Sequence, residues 1–319
     1  MSLRSRATDL ARLHPAAERG ELINLFINDL GMNPGTANSY ASSVRNVVVA
    51  EGPARAVVAA RAEESDAEIR ARLDERFTSI DAFATASCEG DITSLIISGP
   101  AGLGKSFTIE QAVKMYDAAG DKSVIAKGYI KATGLYLLLH EYRHEGCVIV
   151  LDDADSIFRD EDALNILKGA LDTTEERIIS WRSETSMLDA DGDPIARSFE
   201  FEGTVIFITN WDFDAEIERG GRSAPHFEAL MSRSHYIECD MHSTRDYVIR
   251  IEQVCERGML TSKGLSLSES ANIVDYVKEH KDTLRELTLR MALKLADLYK
   301  MDPSNFEVLA RISCHKRGY

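Results

Sequence analysis

The chain has 319 residues, 44% of them hydrophobic, with 52 acids against 37 bases for a formal charge of −15. Length and apolar content allow a main domain plus one or two smaller modules, and they exclude a disordered chain. The charge argues against a broad basic face for nucleic acid, though a local basic stripe is compatible with it. Five scattered cysteines without a CxxC pair suit a reducing compartment, and no apolar run reaches membrane-spanning length or marks a secretory leader, so a cytoplasmic protein without a membrane partner is expected.

Residues 18–50 carry helical periodicity in two short stretches around a turn, with Leu22, Leu25, Phe26 and Leu30 on one face and Gly31 and Pro34 as punctuation. The second stretch, GTANSYASSVRNVVV, has helix–turn–helix texture and ends near Arg45. Its small residues suit a DNA-reading module or a docking domain for a protein partner equally. An Ala- and charge-rich connector follows over 51–75, and a boundary near residue 65 separates an N-terminal helical module (1–65) from the rest.

From residue 94 the texture changes. SLIISG, SVIAKG, CVIVLDD and TVIFITN are short apolar runs ending in small or polar residues, as in strands buried on both faces of a parallel sheet. Helical patterns over 104–118 and 159–171 lie between them, which predicts an α/β layered core over 66–241. After a last strand, HYIECD, three helical segments (243–257, 267–280, 283–300) predict a helical appendix over 242–319.

Gly99-Pro100-Ala101-Gly102-Leu103-Gly104-Lys105-Ser106 fits GxxxxGK[ST], after a strand and at the start of a helix. Glycines let backbone amides turn inward around phosphate oxygens, and the helix start adds partial positive charge. Lys105 is expected to reach the outer phosphates, its amine facing solvent without nucleotide, and Ser106 to ligate Mg²⁺. CVIVLDDAD ends a strand in paired carboxylates at the edge where ligands bind. Asp152 would hold the metal and Asp153 would orient or deprotonate water, while Asn210, ending TVIFITN, would bind γ-phosphate and water without charge.

In this order the three runs resemble the Walker A, Walker B and sensor 1 motifs of the AAA+ ATPases, over roughly residues 70–300. The resemblance implies a three-layer core with a helical lid, ATP and Mg²⁺ as cofactors, and a homo-oligomeric ring, a hexamer by preference. Asp153 stands where the family usually has Glu. EALMSRSHYIE resembles the segment carrying an arginine finger, which makes Arg233 the finger, with Arg219 and Arg222 as rivals. DTLRELTLRMALKLADL resembles the lid helix of sensor 2, with Arg285 at the position and Arg290 as the alternative. Residues 177–203 read as a β-hairpin around DADGDP, either projecting into a channel towards a DNA or protein client or capping the sheet edge. The expected function is Mg²⁺-dependent ATP hydrolysis that moves or remodels such a client. A superfamily 3-like viral helicase and a low-turnover loader are the rivals.

Overall fold

The computed structural model describes residues 64–182, 187–188 and 192–318, along with 19–28 and residues 10, 30, 32, 36, 37 and 41. The chain divides into two compact units, Met1–Ser65 and Asp66–Tyr319. In the first, helix α1 (Arg19–Asn28) buries Leu22 and Phe26 together with Met32, Ala37 and Ala41. Most of the second expected helix, including Arg45, and the connector up to residue 63 lie outside the described residues.

The second unit opens on the long helix α2 (Asp66–Glu89) and then alternates: β1 (Ser94–Ser98), α3 (Lys105–Tyr116), β2 (Ser123–Lys127), α4 (Ala132–Glu141), β3 (Val148–Asp152), a 3₁₀ turn and α5 (Glu161–Ala170). A small antiparallel pair, β4 (Ile178–Ser180) and β5 (Ser198–Glu200), precedes β6 (Thr204–Ile208), α6 (Phe213–Glu218), α7 (Ala224–Met231) and β7 (His235–Glu238). The five longer strands form one parallel sheet in the order β2-β3-β6-β1-β7.

Alternation within each strand distributes side chains to two faces. Ile96, Ile149, Leu151, Val205 and Phe207 pack on one side with α4, α5 and α7, while Leu95, Ile97, Val148, Val150, Ile206 and Ile208 pack on the other with α2 and α3. Three layers result, and the central strands β1, β3 and β6 are buried along their whole length. The edge strand β2 is only partly covered, so its apolar run overstates its burial.

The hairpin pairs Ile179 with Phe199, and both side chains join the core beside Tyr136 of α4. Its base therefore packs against the α/β layer. Pairing continues outward through Trp181, whose amide donates to the Arg197 carbonyl, to a bridge between Leu188 and Pro194.

The remaining helices are α8 (Thr244–Glu256), α9 (Leu267–Glu279), α10 (Leu289–Met301) and α11 (Phe306–Cys314), which share a separate apolar cluster. Two details differ from expectation. The helix expected from residue 283 begins at Leu289, because Thr288 is extended and its hydroxyl caps the Met291 amide. Residues just before it turn back instead, and Leu284 bridges to His315. A fourth helix, α11, follows Asp302-Pro303, too short at nine residues to register as a separate periodic run.

Candidate functional site

Because the strands are parallel and in register, their carboxyl ends meet at one edge: Asp152 pairs with Ile208, Ile97 with Ile208, and Ser98 with Glu238. The loop 99–104 leaves β1 at this edge and feeds directly into α3, whose first turn has no side-chain cap. Two of its glycines have clear reasons. Gly99 (φ 134°) would place a Cβ 2.7 Å from that of Cys239, and Gly102 (φ 79°) would place one 2.6 Å from Cβ of Thr288. The loop is thus wedged between β7's exit and the start of α10, where the Leu289 amide donates to the Gly102 carbonyl at 2.8 Å.

Lys105 is buried, against the expectation of a solvent-facing amine. Its Nζ donates to the carbonyls of Gly99 and of Pro100 (2.9 Å) and lies 3.3 Å from Oδ1 of Asn210. Burial lowers its pKa, with Arg290 adding to the effect, while Cys239, Asp153 and Asp152 oppose it. The loop's own carbonyls stand around the ammonium as phosphate oxygens would.

The Ser106 hydroxyl donates to Oδ1 of buried Asp152 at 2.9 Å, and Lys127 reaches its Oδ2 at 3.0 Å. Two hard oxygens side by side, from a hydroxyl and a carboxylate, fit the sparse protein ligand set that Mg²⁺ uses when substrate phosphates complete its shell. Next along the chain, Asp153 has φ 52°, the only positive φ at a non-glycine among the described residues. That conformation is uncommon for a side-chain-bearing residue and strains the backbone. Its amide is held by the Ile208 carbonyl (3.0 Å), and its Oδ1 accepts from Nδ2 of Asn210 at 3.1 Å. Lys105, Asn210 and Asp153 therefore form one hydrogen-bonded chain across β1, β6 and β3. Asp155, which sequence reasoning gave no role, accepts from the Thr209 hydroxyl at 2.7 Å and ties the same strand ends together, and burial raises its pKa.

The arginines divide. Arg285 lies on the turn before α10, not at the start of a helix; its Nε donates to the His315 carbonyl at 2.6 Å, so it staples the C-terminal segment. Arg290 is the one whose charge is felt at Lys105. Arg233 precedes β7 at the amino edge of the sheet, next to Ser234, whose hydroxyl is 2.6 Å from that of Ser94. The length of β1, about 16 Å for five residues, separates it from its own phosphate loop. Its guanidinium donates to the Ala229 carbonyl and lies 3.8 Å from Asp172. Arg219 pairs with Glu216, and Arg222 with Glu161 at 2.7 Å, both on the surface.

A phosphate loop on a central strand of a parallel sheet ordered β2-β3-β6-β1-β7, an acidic strand end beside it and helices docked on the loop define a P-loop protein of the AAA+ class. The chain belongs to the same family as the uncharacterized 36.7 kDa protein of the nrdC–mobD intergenic region of Enterobacteria phage T4, with which it is 38% identical over 252 residues, 78% of this chain and 76% of that one. No family model matches. Among solved structures it is similar to the RuvB Holliday junction branch migration motor of Thermotoga maritima (13% identity, 76% of this chain and 68% of that one, TM-score 0.40). It is also similar to NtrX of Brucella abortus in complex with ADP (13% identity, 85% of this chain and 56% of that one, TM-score 0.39). No helix among the described residues is long and apolar enough to cross a membrane.

Proposed function

We propose that the chain hydrolyses ATP with Mg²⁺ in a homo-oligomer, and that hydrolysis drives movement or remodelling of a DNA or protein client. The observation that carries this reading is the hydrogen-bonded chain Lys105–Asn210–Asp153 beside the Ser106–Asp152 pair. Lys105 would exchange the loop carbonyls for phosphate oxygens, and the loop amides and the start of α3 would hold the remaining charge. Ser106 and Asp152 would hold the metal, which neutralises phosphate charge when bound. Asp153 would take a proton from water that Asn210 positions; its strained backbone aims the carboxylate at the same place as the Asn210 amide.

Arg233 stands at the amino edge of the sheet, the length of β1 away from its own phosphate loop, which favours its acting on a neighbour's nucleotide. Fingers of this kind are worth about 10³–10⁵ in rate among P-loop enzymes. The test is complementation. Lys105→Ala and Arg233→Ala are each expected to be inactive alone, and to recover ATPase activity when mixed, because one interface then pairs an intact loop with an intact finger. Mixed oligomers seen by native mass spectrometry without recovered activity would overturn the finger in trans. A wild-type chain without ATPase activity would overturn the whole reading.

A further inference from the structure

Helix α8 carries a cation into the interior. Arg250 is 4% exposed, and its guanidinium carbon lies 3.2 Å from the ring centre of Phe77 on α2. Its Nε donates to the carbonyl of Leu103, in the phosphate loop, at 3.3 Å, and its Nη2 would lie 3.6 Å from a Cβ built on Gly104. Nη1 is buried and has no hydrogen-bond partner among the described residues. Other charges on α8 and just after it are paired across to α2: Arg245 with Asp66, Asp246 with Arg72, Glu252 and Glu256 with Arg70, and Arg257 with Asp74. Docking of α8 on α2 is thus served without Arg250.

A buried charge lacking a counter-ion destabilises the fold, and an apolar side chain of like volume usually packs better in its place. An aromatic face and one long bond to a carbonyl compensate it incompletely. Burial lowers the Arg250 pKa to about 10, so it is cationic at neutral pH. The nearest feature built to receive an anion is the loop that it touches.

We propose that Arg250 is a positioning residue of the nucleotide site: it holds the Leu103–Gly104 turn and supplies a positive charge behind the loop, against which the α- and β-phosphates bind. This rests on the nucleotide reading above. Two consequences follow from the placement. The backbone of such a loop cradles the α- and β-phosphates, so ADP and ATP should depend on Arg250 equally. The chain should also be less stable without nucleotide than an apolar substitution would make it.

The experiment uses the full chain and three forms: wild type, Arg250→Met and Arg250→Lys. Melting temperature without nucleotide is measured, together with the Kd of ADP and of a non-hydrolysable ATP analogue. Arg250→Met fills the space on Phe77 without charge, so its melting temperature without nucleotide should be no lower than wild type. Both nucleotides should bind about ten- to a hundredfold more weakly, the range expected for losing a charged partner. Arg250→Lys keeps the charge and should fall between. A lower melting temperature with both Kd values intact would make Arg250 a structural strut and overturn the proposal. Weaker ATP with unchanged ADP would overturn it too, by placing the residue at the γ-phosphate. Should Arg250→Met not fold, Arg250→Gln, which also removes the charge, takes its place: unchanged Kd values would overturn the proposal and a parallel loss for both nucleotides would sustain it. A wild-type chain that binds neither nucleotide would sink the underlying reading instead, an outcome distinct from all of these.

Discussion

The carboxyl edge of the sheet and the helical region docked on it contribute to one site by opposite means. At the sheet edge the candidate side chains sit where strands stop: Asp152 at the end of β3, Asp153 just after it, and Asn210 after β6. Parallel register brings those ends together, and the positive φ values are local, taken freely by the loop glycines and with strain by Asp153. In the helical region the residues that reach the loop are a mid-helix Arg250 and Leu289 in the first turn of α10, while the charge of Arg290 helps to lower the pKa of Lys105. They arrive by packing. A site half built from strand ends and half from helix faces should therefore lose chemistry when the first half is altered, and lose binding or stability when the second is.

The largest effect should come from Lys105→Ala. Removing the buried ammonium should abolish ATP binding or weaken it severely; retained ATPase activity would break the assignment of the loop. Asp153→Asn should bind ATP normally and turn over about 10²–10⁴-fold more slowly, since the amide cannot accept a proton. Asp152→Asn should instead weaken the metal-dependent part of binding. Single-turnover rates and binding titrations separate the two, and exchanged phenotypes would mean exchanged roles.

In the helical half, Arg290→Ala should weaken ATP binding by about tenfold, the loss of one charged partner. Arg285→Ala should leave binding unchanged and lower stability by about 1 kcal/mol, because its bond is to the His315 carbonyl. The reverse pattern would restore Arg285 as the sensor. On the hairpin, Trp181 lies partly buried 6.0 Å from the Tyr136 ring, so Trp181→Ala should lower stability by about 1–2 kcal/mol and leave basal hydrolysis intact. Unchanged melting with lost client stimulation would return the hairpin to the client.

The smallest effect should be a pH dependence of the helical region. His315 is buried, accepts or donates at Tyr276 Oη at 2.8 Å, and has its pKa lowered from 6.5 by burial, then by His280 and Arg311. The unfolded chain takes up a proton near pH 6.5 that the folded chain resists. Stability is therefore full above that pH and falls as pH drops below it. Melting curves from about pH 8 to 5 should show this slope, and His315→Gln should flatten it.

Most of the α/β layer was legible in the sequence because each signal is local. An apolar run ending in Asp-Asp or Thr-Asn is a buried strand with polar ends, and GPAGLGKS needs its glycines for φ values that other residues resist. The alternation of α and β segments carried the layering. What the sequence could not set is which distant residues meet. Arg250 and Leu103 are 147 positions apart, and nothing in the periodicity of α8 distinguishes a buried Arg250 from its ion-paired neighbours. The cap at Thr288 decided that Arg285 falls on a turn and Arg290 on the helix, a choice between two extended runs that look alike until α11 and His315 pack beneath them. Burial of Lys105 also depended on tertiary structure, since its acceptors, two loop carbonyls and the Asn210 amide, are gathered only when β1 and β6 pair. Local chemistry fixes what each segment can be, and packing decides which of its side chains face the ligand.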